Sequence, residues 1–409
     1  MSYLFDHRFL AVEMELYFFD ESVGAGLPMW LPNGVCIREA LEKFIKEKEF
    51  KSQYQRVSSP QLARAELYQQ SGHLKWYKED MYPEMKWPED DSSYYLRPMN
   101  CPHHHKIFAS VPRSYRDLPL RLAEYGQVYR FEASGALRGL SRVRGLCQND
   151  GHIYVDPKMA KDEIQKVLRL HEDCYQALNL KGYRYRLSKH DQNKIPELEG
   201  SLKDWLSSEN ILRECLIEMK LDFYEADGEA AFYGPKIDIQ MKFFSENQNL
   251  KEESISSIQL DFLSPERFDL KFVNSEQVKV RPWIIHRAPL GSHERFIAML
   301  LEYFDGQLPG WLSPIQLMLF PVNEKSHEFA QEIQKELMEK GIRVKIDQRF
   351  GGLGKRMVLG RKLRPFAFAV VGDDEIESGK LKIKFRESEE VVEIRELCEK
   401  LGKILLIPF

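Results

Sequence analysis

The order of secondary-structure signals changes at Trp311-Leu312-Ser313-Pro314, and that change divides any fold this chain can adopt. Beyond it, the apolar run IQLMLFPV (315–322) leads into a helical stretch, 324–340, which aligns Phe329, Ile333 and Leu337 on one face and stops at Gly341. RVKID, a further helix, FAFAVVG and KLKIKF complete the series. Alternating β and α elements over roughly 95 residues predict a small α/β domain at 313–409. Upstream the pattern differs. Residues 37–50 place Leu41, Phe44 and Ile45 on one helical face, and 161–178 align Ile164, Val167, Leu168, His171 and Leu178. Short β-rich runs lie between such helices: HIYV (152–155), KIDIQMKFF (236–244) and PWIIH (282–286). Long stretches separate these strands, which predicts an antiparallel sheet with inserted helices, an α+β domain over 1–312. A chain of 409 residues is in any case too long for one hydrophobic core.

Composition narrows the function classes without choosing one. Apolar residues are 43% and charged residues 30%, as in ordinary globular proteins. No apolar run reaches the roughly 18 residues of a membrane span, and MSYLFDHRFL has no basic start, apolar core or small-residue cleavage site. Cys36, Cys101, Cys147, Cys174, Cys215 and Cys398 have no paired spacing, which predicts a reducing, cytoplasmic setting over a disulfide framework. The net charge of -4 gives no global basic field, so an RNA partner must be held by local patches.

Chemistry enters at 121–152, RLAEYGQVYRFEASGALRGLSRVRGLCQNDGH. Arg130-Phe131-Glu132 precedes a glycine-bearing loop and Arg142-Val143-Arg144 follows it. Two strands joined by that loop would aim arginines into one cleft, where their planar charged forks suit phosphate oxygens. Taken alone, these read first as solvated surface arginines. A second stretch, HRAPLGSHERFI (286–297), shifts the balance. Its Gly291-Ser292-x-Glu294-Arg295 run resembles the third motif of class II aminoacyl-tRNA synthetases. Arg130-Phe131-Glu132 resembles their second motif. The helix leading to Gln55-Arg56-Val57-Ser58-Ser59-Pro60 resembles their first. Further segments are similar to the threonyl-tRNA synthetase family: Met99-Asn100-Cys101-Pro102, Tyr115-Arg116-Asp117-Leu118-Pro119-Leu120-Arg121, Ala231-Phe232-Tyr233-Gly234-Pro235-Lys236, Gln259-Leu260-Asp261-Phe262 and Ile285-His286-Arg287-Ala288.

The resemblance implies a class II synthetase catalytic domain built on an antiparallel sheet, followed by a small anticodon-binding domain. It implies an enzyme that activates threonine with ATP and Mg2+ and loads it onto threonine tRNA. It also implies a homodimer through the motif ending at Pro60. The family's zinc ligands fall on Cys101, His152 and His286, whose spacing would never nominate them; His103, His104 and His105 are rivals by composition. Three protein ligands leave a fourth position open for substrate. Asp150 would accept the substrate hydroxyl, with Met99, Gln148, Tyr233 and Gln259 lining the amino-acid pocket. Arg130 would contact the α-phosphate. Arg295 would sit at the adenine and the γ-phosphate end, with Glu132, Arg142 and Ser257 on the nucleotide. Lys236 would face the same site, although an exposed strand lysine is the alternative. His73 falls near the tRNA acceptor end, where it could position or deprotonate the accepting ribose hydroxyl; a structural histidine fits that position equally. Arg364 and Glu375 occupy base-reading positions, and Lys384 and Arg386 could neutralise phosphates.

The chain also differs from the family's pattern. Leu146 stands where an aromatic ring usually stacks on adenine, and Asn149 replaces an acidic residue. Ser254-Ile255-Ser256-Ser257 replaces Gln-Cys-Gly-Thr, and Phe350-Gly351-Gly352 replaces Asn-Glu-Lys. The chain begins where the family's catalytic core begins, so the resemblance implies charging without the N-terminal editing domain. Two other readings stay open: a non-catalytic paralogue that binds tRNA, and a related synthetase for proline or serine.

Overall fold

The structure is a computed structural model and describes residues 6–89, 91–193, 199–244, 250–349, 351–405 and 407–408. Phe350 therefore lies outside the described residues. The Cα positions fall into two compact units. One comprises Val23–Leu27 and Lys48–Phe296; the other comprises Met1–Ser22, Pro28–Glu47 and Ile297–Phe409.

The first unit is built on an eight-stranded sheet. In chain order its strands are β1 (Gln55–Arg56), β2 (Leu120–Tyr129), β3 (Gly145–Val155), β4 (Arg184–Ser188), β5 (Phe223–Ala226), β6 (Lys236–Phe244), β7 (Leu250–Asp261) and β8 (Trp283–Ala288). Their spatial order is β5-β4-β6-β7-β8-β3-β2-β1. The central pairs are antiparallel, as the spacing of the β-rich runs predicts, and the two outermost pairs, β4/β5 and β1/β2, are parallel. Side chains directly opposed on neighbouring strands share a face, so register decides which residues meet. His152 pairs with His286, His286 with Gln259, Gln259 with Lys236 and Lys236 with Ser188. Five residues drawn from well-separated stretches between His152 and His286 thus form one row across five strands.

A short helix, α1 (Cys101–Ala109), lies over that row. Cys101, His104, His105 and Phe108 are buried at i, i+3, i+4 and i+7, the spacing of one helical face. Phe108 stacks on Tyr154 at 4.3 Å and His105 Nδ1 meets the Tyr154 hydroxyl at 2.9 Å. The 161–178 periodicity becomes α2 (Ala160–Ala177), which buries Ile164, Val167, Leu168, His171 and Cys174. α3 (Leu202–Glu218) packs on β4 and β6.

In the second unit, a five-stranded sheet has the order Val344–Ile346, Leu317–Pro321, Ala367–Val371, Lys380–Lys384, Glu389–Glu393. The first three strands are parallel and the last two run antiparallel. Leu317–Pro321 is buried throughout, as a central strand covered on both faces must be. Leu317 and Leu319 join Ile333, Leu337 and Leu401 in one core, while Met318 and Phe320 join Leu363 in another. The helix at Glu324–Glu339 follows its predicted span, and Gly341 past its end has a positive φ of 77°.

Candidate active site

Cys101 begins α1 and is buried above the His152–His286 pair. One donor atom from each of the three lies within 4.8 Å of the others. The histidine run of α1 is not gathered in the same way. His104 Nδ1 sits 2.8 Å from His152 Nδ1, and His105 faces Tyr154. His286 Nε2 sits 2.9 Å from Asp261 Oδ2, and Asp261 Oδ1 accepts from the backbone of Leu263 and Ser264 at 3.0 and 2.8 Å. Burial would raise the Asp261 carboxyl, but His286, with His105 and Ser264, together outweigh it and the group is held below the usual carboxylate range. Burial and the nearby Asp150 and Asp261 push the Cys101 thiol well above its ordinary range, and burial with the neighbouring histidines pushes His152 well below 6.5. His152 Nε2 is buried and has no hydrogen-bond partner among the described residues. A buried imidazole nitrogen without a partner, beside a thiol and a second imidazole, fits a metal ligand set, and one sulfur with two nitrogens suits zinc with a fourth position left over.

Around this trio stand the residues expected to hold an amino acid. Tyr233 stacks on the His286 ring at 5.0 Å and donates its hydroxyl hydrogen to Gln259 Oε1; Gln259 Nε2 donates to Ser257 Oγ at 3.2 Å. Asn100 Nδ2 donates to Asp150 Oδ2 at 2.9 Å. Lys236, the next member of the row, pairs with the buried Asp238 at 2.9 Å, which also accepts from Arg186 and Ser188 at 3.0 and 2.8 Å. Met99 Sδ lies 3.4 Å from His73 Nε2, while His73 Nδ1 meets Ser71 Oγ at 2.8 Å. Burial first, then the charges of Arg267 and Arg130, hold His73 down at about 4, so its ring is neutral near pH 7.

The arginine cleft forms at the turn from β2 to β3. Arg142 Nε donates to Glu132 Oε2 at 2.8 Å, and Arg144 Nε donates to the Glu132 carbonyl at 2.9 Å. Arg295 Nε donates to the Ser141 carbonyl at 3.2 Å and lies within the electrostatic reach of Arg130, Arg142 and Glu132. Arg130 Nε is buried without a partner among the described residues. Gly291 holds this corner together: at φ 54° its carbonyl accepts from Asn149 N at 3.0 Å, and a Cβ there would meet the Ile255 carbonyl oxygen at 2.5 Å. Glu294 accepts from Cys147 N at 2.9 Å. Gln148 bridges Ser292. The structure therefore brings Arg130, Glu132, Arg142 and Arg295 together, and gathers Met99, Cys101, Asp150, His152, Tyr233, Lys236, Gln259 and His286, with Arg130 in electrostatic reach of Cys101 and Tyr233 and Gln148 set beside Ser292.

Several contributors had a different role, or none, in the sequence reading. His104 accompanies Glu124, whose carboxylate it meets at 3.0 Å; Glu124 also accepts from Ser59 N and Oγ at 3.0 and 2.7 Å and from Arg97 at 3.1 Å. Burial alone would raise Glu124, yet these partners hold it at about 2. On the opposite face of the sheet, the buried Arg287 pairs with Glu49 at 2.7 Å and packs over the Tyr54 ring at 4.2 Å. Asn149 donates to the same Glu49 at 3.0 Å. An acidic residue at 149 would face that carboxylate, so asparagine is the better fit here. Leu146 is buried with Val128 and Val143. The signal for His104 was its place in the histidine run, and for Asp261 its place in a family-like segment. Glu124 had none beyond being an inward acid on a strand.

Within the second unit, Arg364, Lys384 and Arg386 line one cleft of about 540 Å³ together with Phe366, Phe368 and Phe385. Glu375 does not line it; its carboxylate accepts from Gly372 N at 2.9 Å and caps the Asp373–Ser378 helix.

Residues 84–304 match the tRNA synthetase class II core domain (G, H, P, S and T), and 316–404 match an anticodon binding domain. The threonine--tRNA ligases of Streptococcus sanguinis and Streptococcus gordonii are each 44% identical over 380 residues. That alignment covers 93% of this chain, and the chain spans 58% of the length of these curated relatives. A crystal structure described as the RNA binding domain of threonyl-tRNA synthetase from Cryptosporidium parvum is 34% identical, with 99% of both chains covered and a TM-score of 0.90. A putative threonyl-tRNA synthetase from Aeropyrum pernix is 28% identical, with 98% of both chains covered and a TM-score of 0.84. A prolyl-tRNA synthetase from Cryptosporidium parvum, at 17% identity and TM-score 0.73, covering 98% of this chain and 74% of that one, shares the fold.

Proposed function

The chain belongs to the class II tRNA synthetases, and among them to the threonyl-tRNA synthetase family; on that premise we propose that it activates threonine with ATP and Mg2+ and transfers the threonyl group to threonine tRNA. The observation that carries this reading is the row His152–His286–Gln259–Lys236 beneath Cys101. The groups read as amino-acid-binding lie in the same unit as the Arg130, Arg142 and Arg295 cleft. We assign 1–312 to catalysis and 313–409 to anticodon binding, in line with the matched spans. Six cysteines with none in a disulfide fit a cytoplasmic enzyme. A homodimer through the segment ending at Pro60 completes the proposal, with sedimentation as its test.

In this reading Cys101, His152 and His286 hold zinc, which when bound engages the amino and hydroxyl groups of threonine. Asp150, steadied by Asn100, accepts the hydroxyl hydrogen. A site that engages a substrate hydroxyl rejects an analogue lacking it by ~10⁴-fold or more, whereas an apolar pocket reaches only ~10²-fold. Valine is therefore excluded by chemistry and not by size. Met99, Gln148, Tyr233 and Gln259 shape the pocket, and Asp238 holds Lys236 toward it. Arg130 meets the α-phosphate with the guanidinium edge whose Nε has no partner among the described residues. Arg295, Arg142, Glu132 and Ser257 hold the rest of the nucleotide. No side chain forms a covalent link to substrate; the rate gain comes from positioning and preset charge. His73, neutral at physiological pH, accepts a hydrogen bond from the ribose hydroxyl. In the second unit, the cations and three phenylalanines of the Arg364 cleft suit unpaired bases, which RNA-binding proteins read by stacking and edge contacts. Glu375 holds a base-reading role only by family position.

The test is ATP–pyrophosphate exchange with purified, metal-analysed protein. Exchange that depends on threonine, with valine inert and one zinc per chain, is expected. A zinc-loaded protein that shows no exchange with threonine, or exchanges with proline or serine instead, overturns the reading.

A further inference from the structure

We propose that Glu124 and His104 act as a positioning relay that fixes the tautomer of His152, so that its Nε2 lone pair faces Cys101 and His286. The inference rests on the zinc reading above and concerns residues outside the ligand set.

An ionised carboxylate only accepts hydrogen bonds, and a neutral imidazole carries one N–H. Glu124 takes four hydrogen bonds: two from Ser59, one from Arg97 and one from His104. Acceptance from His104 places that ring's hydrogen on Nε2, 3.0 Å away. His104 Nδ1 is then an acceptor. It lies 2.8 Å from His152 Nδ1, so the hydrogen between them belongs to His152. A neutral His152 with hydrogen on Nδ1 has a bare lone pair on Nε2, the buried atom with no partner among the described residues.

The alternatives fail on the same atoms. The other His152 tautomer sets two lone pairs against each other at 2.8 Å and buries an N–H with nothing to accept it. A cationic His104 donates from both nitrogens and forces the same buried N–H on His152. The companion ligand is simpler: Asp261 accepts directly from His286 Nε2, leaving Nδ1 of that ring bare. Carboxylates that orient ligand imidazoles raise their basicity, and losing such a partner weakens metal binding roughly 10–100-fold. One ligand is oriented by a carboxylate at first hand, the other through an intervening imidazole.

The experiment uses the full chain, with Zn2+ and a competing chelator as probes. His104→Leu removes the acceptor. His104→Asn restores one at the Nδ1 position. The leucine variant is expected to bind Zn2+ roughly 10–100-fold more weakly, with a wild-type melting profile, and the asparagine variant to regain most of the affinity. If the leucine variant does not fold, His104→Gln takes its place, since its amide reaches the Nε2 position and leaves no acceptor at Nδ1; the same loss is expected. In metal-free wild type, imidazole 15N shifts should report hydrogen on Nδ1 of His152 and on Nε2 of His286. Wild-type protein that takes up no zinc overturns the zinc reading itself. Stoichiometric zinc in wild type with undiminished affinity in the leucine or glutamine variant overturns the relay alone. So does an Nε2-protonated His152, or a folded asparagine variant that binds as weakly as leucine.

Discussion

Gly151 sits between Asp150 and His152 in sequence but faces the other side of the sheet, and the structure makes it a quantitative test of the support beneath the site. A Cβ at Gly151 would stand 2.5 Å from the Arg287 guanidinium carbon. That guanidinium cannot retreat freely, because it pairs with Glu49 at 2.7 Å and lies over Tyr54 at 4.2 Å. Overpacking a core costs about 1–3 kcal/mol, and the immobile neighbour puts Gly151→Ala near the top of that range. Arg287→Met leaves the buried Glu49 without its main counter-charge. Breaking a buried pair costs about 3–5 kcal/mol; Asn149 and Arg56 still contact Glu49, so about 3 kcal/mol is expected. A methionine bends away from an added methyl, so Gly151→Ala in the Arg287→Met background should cost little. The two changes therefore couple by about 2 kcal/mol, well beyond the ~0.5 kcal/mol within which independent sites add. Urea unfolding of the four proteins, followed by circular dichroism, measures the cycle. Additive losses would refute the argument that the glycine exists to admit the guanidinium.

Four shorter predictions follow. Cys101→Ser should reduce bound zinc from one per chain to a small fraction, read by elemental analysis after dialysis. Arg130→Ala should lower pyrophosphate exchange by ~10²–10³-fold or more while the melting temperature holds, since its Nε has no partner among the described residues. Arg364→Asn, chosen because Arg364 has φ 49° and asparagine tolerates that region, should weaken tRNA charging by roughly 10–100-fold with exchange unchanged. Burial holds His171 at about 3 against 6.5, so as pH falls the unfolded chain takes up its proton first. Stability from this group is full above about pH 6.5 and is lost toward pH 3; His171→Leu should flatten the acid side of the stability curve by about 2 kcal/mol at pH 5.

The periodic helices and the β-rich runs were legible because burial on one face imposes spacing, and α2 and the Glu324–Glu339 helix match it within two residues at either end. The row across the sheet was not legible, because register depends on pairings between distant strands. Nothing in the local sequence says that 286 lies beside 152 or 259 beside 236. The ligand trio came from family likeness alone. Its supports divide by the same logic. His104, Asp261 and Arg287 stood in segments already singled out, whereas Glu49, and Glu124 inside the long 121–152 stretch, are charges whose meaning appears only when the sheet and helix close around them. The parallel outer pairs had no signature either, since β1 and β5 are too short to show a pattern.

The direct pairing of His152 with His286 also sets when in folding the site can exist. A strand that slips by one residue turns every side chain to the opposite face, so one misregistered step between β3 and β8 would put the two imidazoles on different sides of the sheet. The pairing closes a stretch of more than a hundred residues. Such distant contacts form late, because the entropy of loop closure is lost before any contact rewards it. The helices and the β2–β3 hairpin are local and need not wait. Competence to hold an ion at this place would therefore be a property of the finished sheet, and uptake of one would report that this long-range pairing has been made in the right frame.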